Sequence, residues 1–174
     1  MDDRDLMLCA AAGDDGAFGI LVEKYAKSLL NFFLRKNVSY HDGQDLVERT
    51  FLRLWKYRAR YTPQAKFTTF LFLVASQVGV DFFRETDRRA RLARGISNEA
   101  EIAEASPVRT IEPGMAGDVR AAVAQLPPAM RDVVELAVFQ ELQYAEVAEI
   151  LGIPVGTVKS RMFNALRKLK ELLK

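Results

Sequence analysis

Residues 144–169, YAEVAEILGIPVGTVKSRMFNALRKL, decide the fold. They read as two amphipathic helices joined by a link short enough to force a sharp crossing. In the first, Val147, Ala148 and Leu151 form an apolar face and Glu146 and Glu149 stay outside it. Gly152 suits the positive φ that ends a helix, and Pro154, fixed near −65° without an N–H, suits the opening of the next. In the second helix Val155, Val158, Met162, Leu166 and Leu169 fall on one stripe, leaving Thr157, Lys159, Ser160, Arg161, Asn164 and Arg167 largely free. Those types match the groove of a duplex: Arg pairs with guanine, Asn with adenine, and Lys, Ser and Thr hold phosphates or base edges. From Val155 to Lys174, six basic residues (Lys159, Arg161, Arg167, Lys168, Lys170 and Lys174) stand against Glu171. The pattern implies a DNA-reading helix-turn-helix, with a plain solvated amphipathic helix as the bland alternative.

The remaining 148 residues narrow the class. A chain of 174 residues with 49% hydrophobic content is long enough for one or two small cores and excludes disorder throughout. The net charge is only +2, so any nucleic-acid contact has to come from local clustering. One cysteine, Cys9, excludes an internal disulfide framework and fits a reducing compartment. No apolar run is expected to reach the length of a membrane span, and the acidic start MDDRDLMLCAAAGDD does not resemble a secretory signal.

Helical periodicity dominates, no strand signal competes, and the expected architecture is all-α. Phe18, Leu21, Val22, Tyr25, Leu29, Phe32 and Phe33 predict a helix over 15–36, with Asp14 or Asp15 as its cap. After a loop at 37–43, Asp42 is expected to cap a helix with Leu46, Val47, Thr50, Phe51, Leu54 and Trp55 inward. Its outer side holds Asp45, Glu48, Arg49, Leu52, Arg53 and Lys56. Pro63 interrupts the pattern. A long helix over 67–94 begins apolar and ends basic, with five arginines against Glu85 and Asp87 in residues 84–94. Pro107, Pro113 and four glutamates mark 95–117 as a flexible acidic linker. Helices are expected again from Asp118 and from Ala129 to Phe139. Two small helical domains, 1–94 and 118–174, follow.

Catalysis is not expected. His41 is the only histidine and has no Ser or Cys partner nearby. Val158-Lys159-Ser160 lacks the glycines of a phosphate-binding loop, and one cysteine with one histidine builds no zinc site. Neither a metal nor a cofactor is implied.

Three segments carry a family resemblance. LPPAMRDVVELAVFQELQYAEVAEILGIPVGTVKSRMFNALRKL, from Leu126, is similar to the second conserved domain of extracytoplasmic-function (ECF) sigma factors, the smallest members of the sigma-70 family. DGQDLVERTFLRLWKY, from Asp42, resembles the family's polymerase-binding helix, and FTTFLFLVASQVGVDFFR, from Phe67, its minus-10 segment. The resemblance covers about 15–90 and 118–172, and the order of the segments makes it specific.

The resemblance implies a bacterial transcription initiation factor in the cytoplasm, whose partners are core RNA polymerase, promoter DNA and an anti-sigma factor, with no membrane contact of its own. Polymerase docking falls on Gln44, Asp45, Glu48, Arg49, Leu52 and Trp55. Minus-10 contacts fall on Ser76, Gln77, Asp81, Arg84, Arg88 and Arg89, and minus-35 contacts on Thr157, Lys159, Ser160, Arg161, Phe163, Asn164 and Arg167. The chain departs from the usual pattern at Glu48-Arg49 (usually Gln-Glu), at Ser76 and Gln77 (often Arg and Asn), and at Asn164 (often Arg). Phe67 and Phe70 count first as core and second as stacking platforms; Trp55 fits core or interface equally. A self-sufficient helix-turn-helix regulator and an interaction protein that has lost transcriptional competence are the competing readings.

Overall fold

Helix caps set where the chain begins to fold. The Asp2 carboxylate accepts from Asp5 N at 2.9 Å while Asp5 accepts from Asp2 N at 3.4 Å, and this reciprocal cap starts α1 (Asp3–Ala11). The computed structural model describes residues 1–95 and 117–173; most of the expected linker, and Lys174, lie outside them. Helix α1 was not anticipated in the acidic start, yet it buries Leu6, Met7 and Ala10. Polar contacts fasten it to α2 (Asp15–Leu34): Asp3 accepts from Lys24 Nζ at 2.7 Å and from the Tyr25 hydroxyl.

Asp14 caps α2 by accepting from Ala17 N at 3.0 Å. The helix ends two residues earlier than expected, and Asn37 turns the chain at φ 62°. Ser39, not Asp42, then caps α3 (Tyr40–Tyr57), its hydroxyl accepting from Asp42 N at 3.0 Å. Asp42 sits instead in the first turn, where a carboxylate favours the helix dipole. Leu46, Phe51 and Leu54 are buried, and buried Thr50 is satisfied by donating to Leu46 O at 2.7 Å. A short 3-10 turn (Arg58–Arg60) leads toward α4 (Phe67–Ala93).

The 27 residues of α4, with a mean hydropathy of 1.2 over an 18-residue window, do reach the length and composition of a membrane span. This corrects the sequence expectation. Its apolar residues are spent on packing: Phe67, Leu71, Phe72, Val74, Ala75 and Val78 are all buried. By contacts the chain divides inside this helix. Among the described residues, one unit comprises 1–64 and 74–95, the other 65–73 and 117–173.

In the second unit α5 (Gly117–Ala124), α6 (Pro128–Val134), α7 (Tyr144–Leu151) and α8 (Val155–Leu172) pack together, with α8 touching the other three. Arg131 donates to Ala124 O and Leu126 O at 2.9 and 3.0 Å, satisfying carbonyls at the end of α5. The expected helix to Phe139 widens into a π turn over Glu135–Phe139. Buried Glu135 is matched there by Gln140 Nε2 at 2.9 Å. Among the described residues no strand occurs.

Candidate functional site

Three helix faces gather the residues expected to act. On α3, Gln44, Glu48, Arg49 and Leu52 are exposed, and Asp45 and Trp55 are half-buried. Arg49 does not stand as a free cation. Its Nε lies 2.8 Å from Asp45 across one helical turn, and its Nη1 lies 3.9 Å from Glu85 of α4. The acid of the expected docking face and the unusual arginine therefore screen each other, at the modest strength of solvent-exposed pairs.

Beside this face runs a groove of about 560 Å³ between α2 and α3, walled by Phe18, Val22, Leu30, Val47, Phe51 and Leu52. Trp55 lines it as well. Its ring meets Phe18 at 5.0 Å, and the Arg58 guanidinium lies 3.7 Å from its centroid while Arg58 Nη1 donates to Trp55 O at 2.7 Å. Trp55 is packed on Phe18 and borders the groove. The sequence reading had not found this groove, because its walls come from the flanks of two helices. The available signal was the surplus of apolar residues at the helix edges, notably Val22 and Leu52.

On α4, Gln77, Asp81, Arg84, Arg88 and Arg89 are exposed and Ser76 is half-buried. Two of the six are already engaged. Asp81 receives Arg53 Nη2 at 3.0 Å, and Arg89 Nη2 reaches Glu85 at 2.7 Å. Phe67 is only 2% exposed and belongs to the core; Phe70 is half-buried.

The α7–α8 turn sets the third face. Gly152 sits at φ 65°, ψ 36° with its N–H on Ala148 O, and Pro154 is the N-cap of α8, one position earlier than a first-turn proline. Helix α8 buries Val158, Met162 and Ala165. The expected stripe is thereby corrected: Leu166 is 54% exposed and Val155 38% exposed, because Ala165 rather than Leu166 faces the packed side. Lys159, Ser160, Phe163, Asn164 and Arg167 are exposed, while Thr157 and Arg161 are half-buried at the edge. Ser160 Oγ donates to Gly156 O at 3.0 Å, which leaves its lone pairs to accept. Phe163 is 65% exposed, with the Arg167 guanidinium 5.9 Å from its ring centroid. No group of three or more His, Cys, Asp or Glu converges to hold a metal among the described residues.

Two family models match in the order of these faces: sigma-70 region 2 over residues 21–89 and sigma-70 region 4 over 116–169. The chain is 26% identical to the RNA polymerase sigma-H factor of Pseudomonas aeruginosa over 180 aligned residues, covering 98% of this chain and 93% of that one. It is 25% identical to the ECF RNA polymerase sigma factor SigW of Bacillus subtilis, covering 93% and 91%. The structure of CnrH in complex with the cytosolic domain of CnrY superimposes at a TM-score of 0.71 and 26% identity, over 98% of this chain and 96% of CnrH. RpoE of Bartonella quintana, solved with the anti-sigma factor NepR, shares the fold at a TM-score of 0.74 and 22% identity, over 90% of this chain and 96% of that one. The chain belongs to the sigma-70 family, as an ECF sigma factor.

Proposed function

We propose that this chain binds core RNA polymerase through α3 and its groove and directs it to promoters by a two-point grip, α4 on the minus-10 element and α8 on the minus-35 element. In domain terms residues 1–94 carry docking, minus-10 recognition and strand separation, 95–117 link, and 118–174 carry minus-35 recognition. The reading is supported most by one observation. On α8 the side chains able to read a groove (Lys159, Ser160, Phe163, Asn164 and Arg167) share the exposed side, opposite Val158, Met162 and Ala165. An α-helix of this width fits a major groove.

No chemistry is assigned to the chain itself. It binds and separates strands in the bacterial cytoplasm, and phosphodiester formation belongs to the polymerase. Control by an anti-sigma factor is part of the reading, supported by family membership and by the capture of CnrH with the cytosolic domain of CnrY. An apolar groove with Lys27, Gln44 and Glu48 at its rim suits an amphipathic helix of such a partner or of the polymerase.

Reconstitution tests the proposal. Purified chain added to core polymerase is expected to give run-off transcripts from a subset of promoters in its own genome. Tight duplex binding without polymerase would favour a self-sufficient regulator, and polymerase binding without transcripts would favour an interaction protein.

A further inference from the structure

Arg49 puts a cation on a face of α3 whose neighbouring polar residues, Gln44, Asp45 and Glu48, are neutral or acidic. An acidic face favours a basic partner, and a cation in its midst opposes one. Where the guanidinium rests therefore matters. Its Nε lies 2.8 Å from Asp45 Oδ2, and its Nη1 lies 3.9 Å from Glu85 Oε2 on α4. Carboxylates from two helices thus face two edges of one planar fork.

The two carboxylates are not equally engaged. Asp45 takes the guanidinium at hydrogen-bonding distance, whereas Glu85 Oε2 stands beyond it. Glu85 is held ready by its other oxygen, which Arg89 Nη2 meets at 2.7 Å one turn along α4. Arg53 Nη2 lies 3.0 Å from Asp81, and this second pair between α3 and α4 keeps Glu85 within reach of Arg49. The side chains of Arg49, Asp45 and Glu85 are 48%, 43% and 37% exposed. Pairs so exposed shift an equilibrium by about fivefold at most, which is weak enough to exchange.

We infer that Glu85 is a positioning residue for polymerase docking, which takes Arg49 over when a cation of the polymerase claims Asp45. The inference deepens the docking assignment and rests on it. In the free chain Arg49 shields Asp45. On docking, a small rotation of the guanidinium closes the gap to Glu85 Oε2 without displacing Arg89 from Oε1. Glu85 thereby offsets the cost of breaking the Asp45–Arg49 pair and draws the cation away from the incoming one. Arg49 is thus tolerated on an acidic docking face because α4 supplies a second acceptor.

The test titrates core polymerase into the full chain, labelled at its amino terminus, and reads affinity by fluorescence anisotropy. Glu85→Gln keeps the size of the side chain and removes the charge that receives Arg49; Arg49→Gln removes the cation. Glu85→Gln is expected to weaken binding about two- to fivefold, and Arg49→Gln to strengthen it by a similar factor. The double variant should bind as Arg49→Gln does, because Glu85 acts only through the guanidinium. Unchanged affinity in Glu85→Gln overturns the inference. So does a loss that persists in the double variant, which would mean that Glu85 touches the polymerase or shapes α4 on its own account. Weaker binding by Arg49→Gln would make Arg49 itself a polymerase contact and also overturn it. The docking assignment is tested separately by Asp45→Asn: unchanged affinity there removes that assignment, whatever the Arg49 and Glu85 variants do.

Discussion

Replacing Gly152 by alanine isolates the backbone term in the α7–α8 turn. A Cβ built at this glycine meets nothing within 4 Å, so no clash contributes and the whole cost comes from φ 65°. An L-residue in the left-handed region costs about 1–2 kcal/mol. Stiffening of the unfolded chain by alanine offsets up to about 1 kcal/mol of that. The net destabilisation is then about 1 kcal/mol, roughly a fivefold change in the opening equilibrium. Because the chain forms two units, a single melting temperature would mix their transitions. Native-state amide exchange on the full chain separates them. Protection of amides in α7 and α8 should fall about fivefold in Gly152→Ala, with those of α2 and α3 unchanged. Gly152→Asn should lose less, since asparagine tolerates this conformation better. Unchanged protection in α7 and α8, or asparagine as damaging as alanine, would refute the claim that positive φ holds this turn.

Asp45→Arg places a second cation beside Arg49 and removes the acid of the docking face; co-purification with core polymerase should be lost while the far-ultraviolet dichroism stays that of the parent, because exposed pairs contribute about 1 kcal/mol or less to folding. Arg161→Ala should weaken binding to a minus-35 duplex by about 1–3 kcal/mol if the guanidinium reads a base, with polymerase co-purification unaltered; a docking defect instead would misplace the domain. Tyr25 tests alkaline stability. Burial first, then the hydrogen bond to Asp3 and its charge, raise the Tyr25 pKa well above the ordinary 10.0. The folded state thus holds this proton more tightly than the unfolded state, so the stabilisation is intact below about pH 10 and is lost as the pH rises beyond it. Thermal melts from pH 8 upward should show the parent falling above pH 10 and Tyr25→Phe, though lower at pH 8, falling less steeply; parallel curves would remove Tyr25 as a cause.

Periodicity made α2, α3, α4 and the α7–α8 pair legible, since each has enough apolar positions at three- and four-residue steps to mark a face. Helix α1 lacked that signal. Its nine residues bury only Leu6, Met7 and Ala10, and its cap relies on aspartates that read equally well as a solvated lead-in. The choice between Ser39 and Asp42 as cap depends on which backbone N–H points at which oxygen, and both residue types cap well. The swap of Leu166 for Ala165 has a similar origin: a hydropathy stripe ranks side chains by size, whereas close helix packing selected the small one. Of the site, the charged residues were legible by type and the pairings were not. Nothing in the spacing of Arg49, Arg53, Asp81 and Glu85 tells that two helices bring them together.

Those pairings bear on how the chain engages promoters. With a net charge of +2, it has little long-range field, and several of its arginines are occupied by its own carboxylates. The exposed cations left on α8, Lys159, Arg167, Lys168 and Lys170, suffice for a few phosphate contacts, each of which lowers the logarithm of affinity by about 0.9 per tenfold rise in salt. One such face holds a duplex weakly at physiological salt. Two faces on one chain gain by effective concentration once both elements of a promoter are within reach. On the proposed two-point grip, selective binding is expected to require core polymerase. The same arithmetic separates this chain from a self-sufficient helix-turn-helix regulator, whose single reading head has to carry the affinity alone.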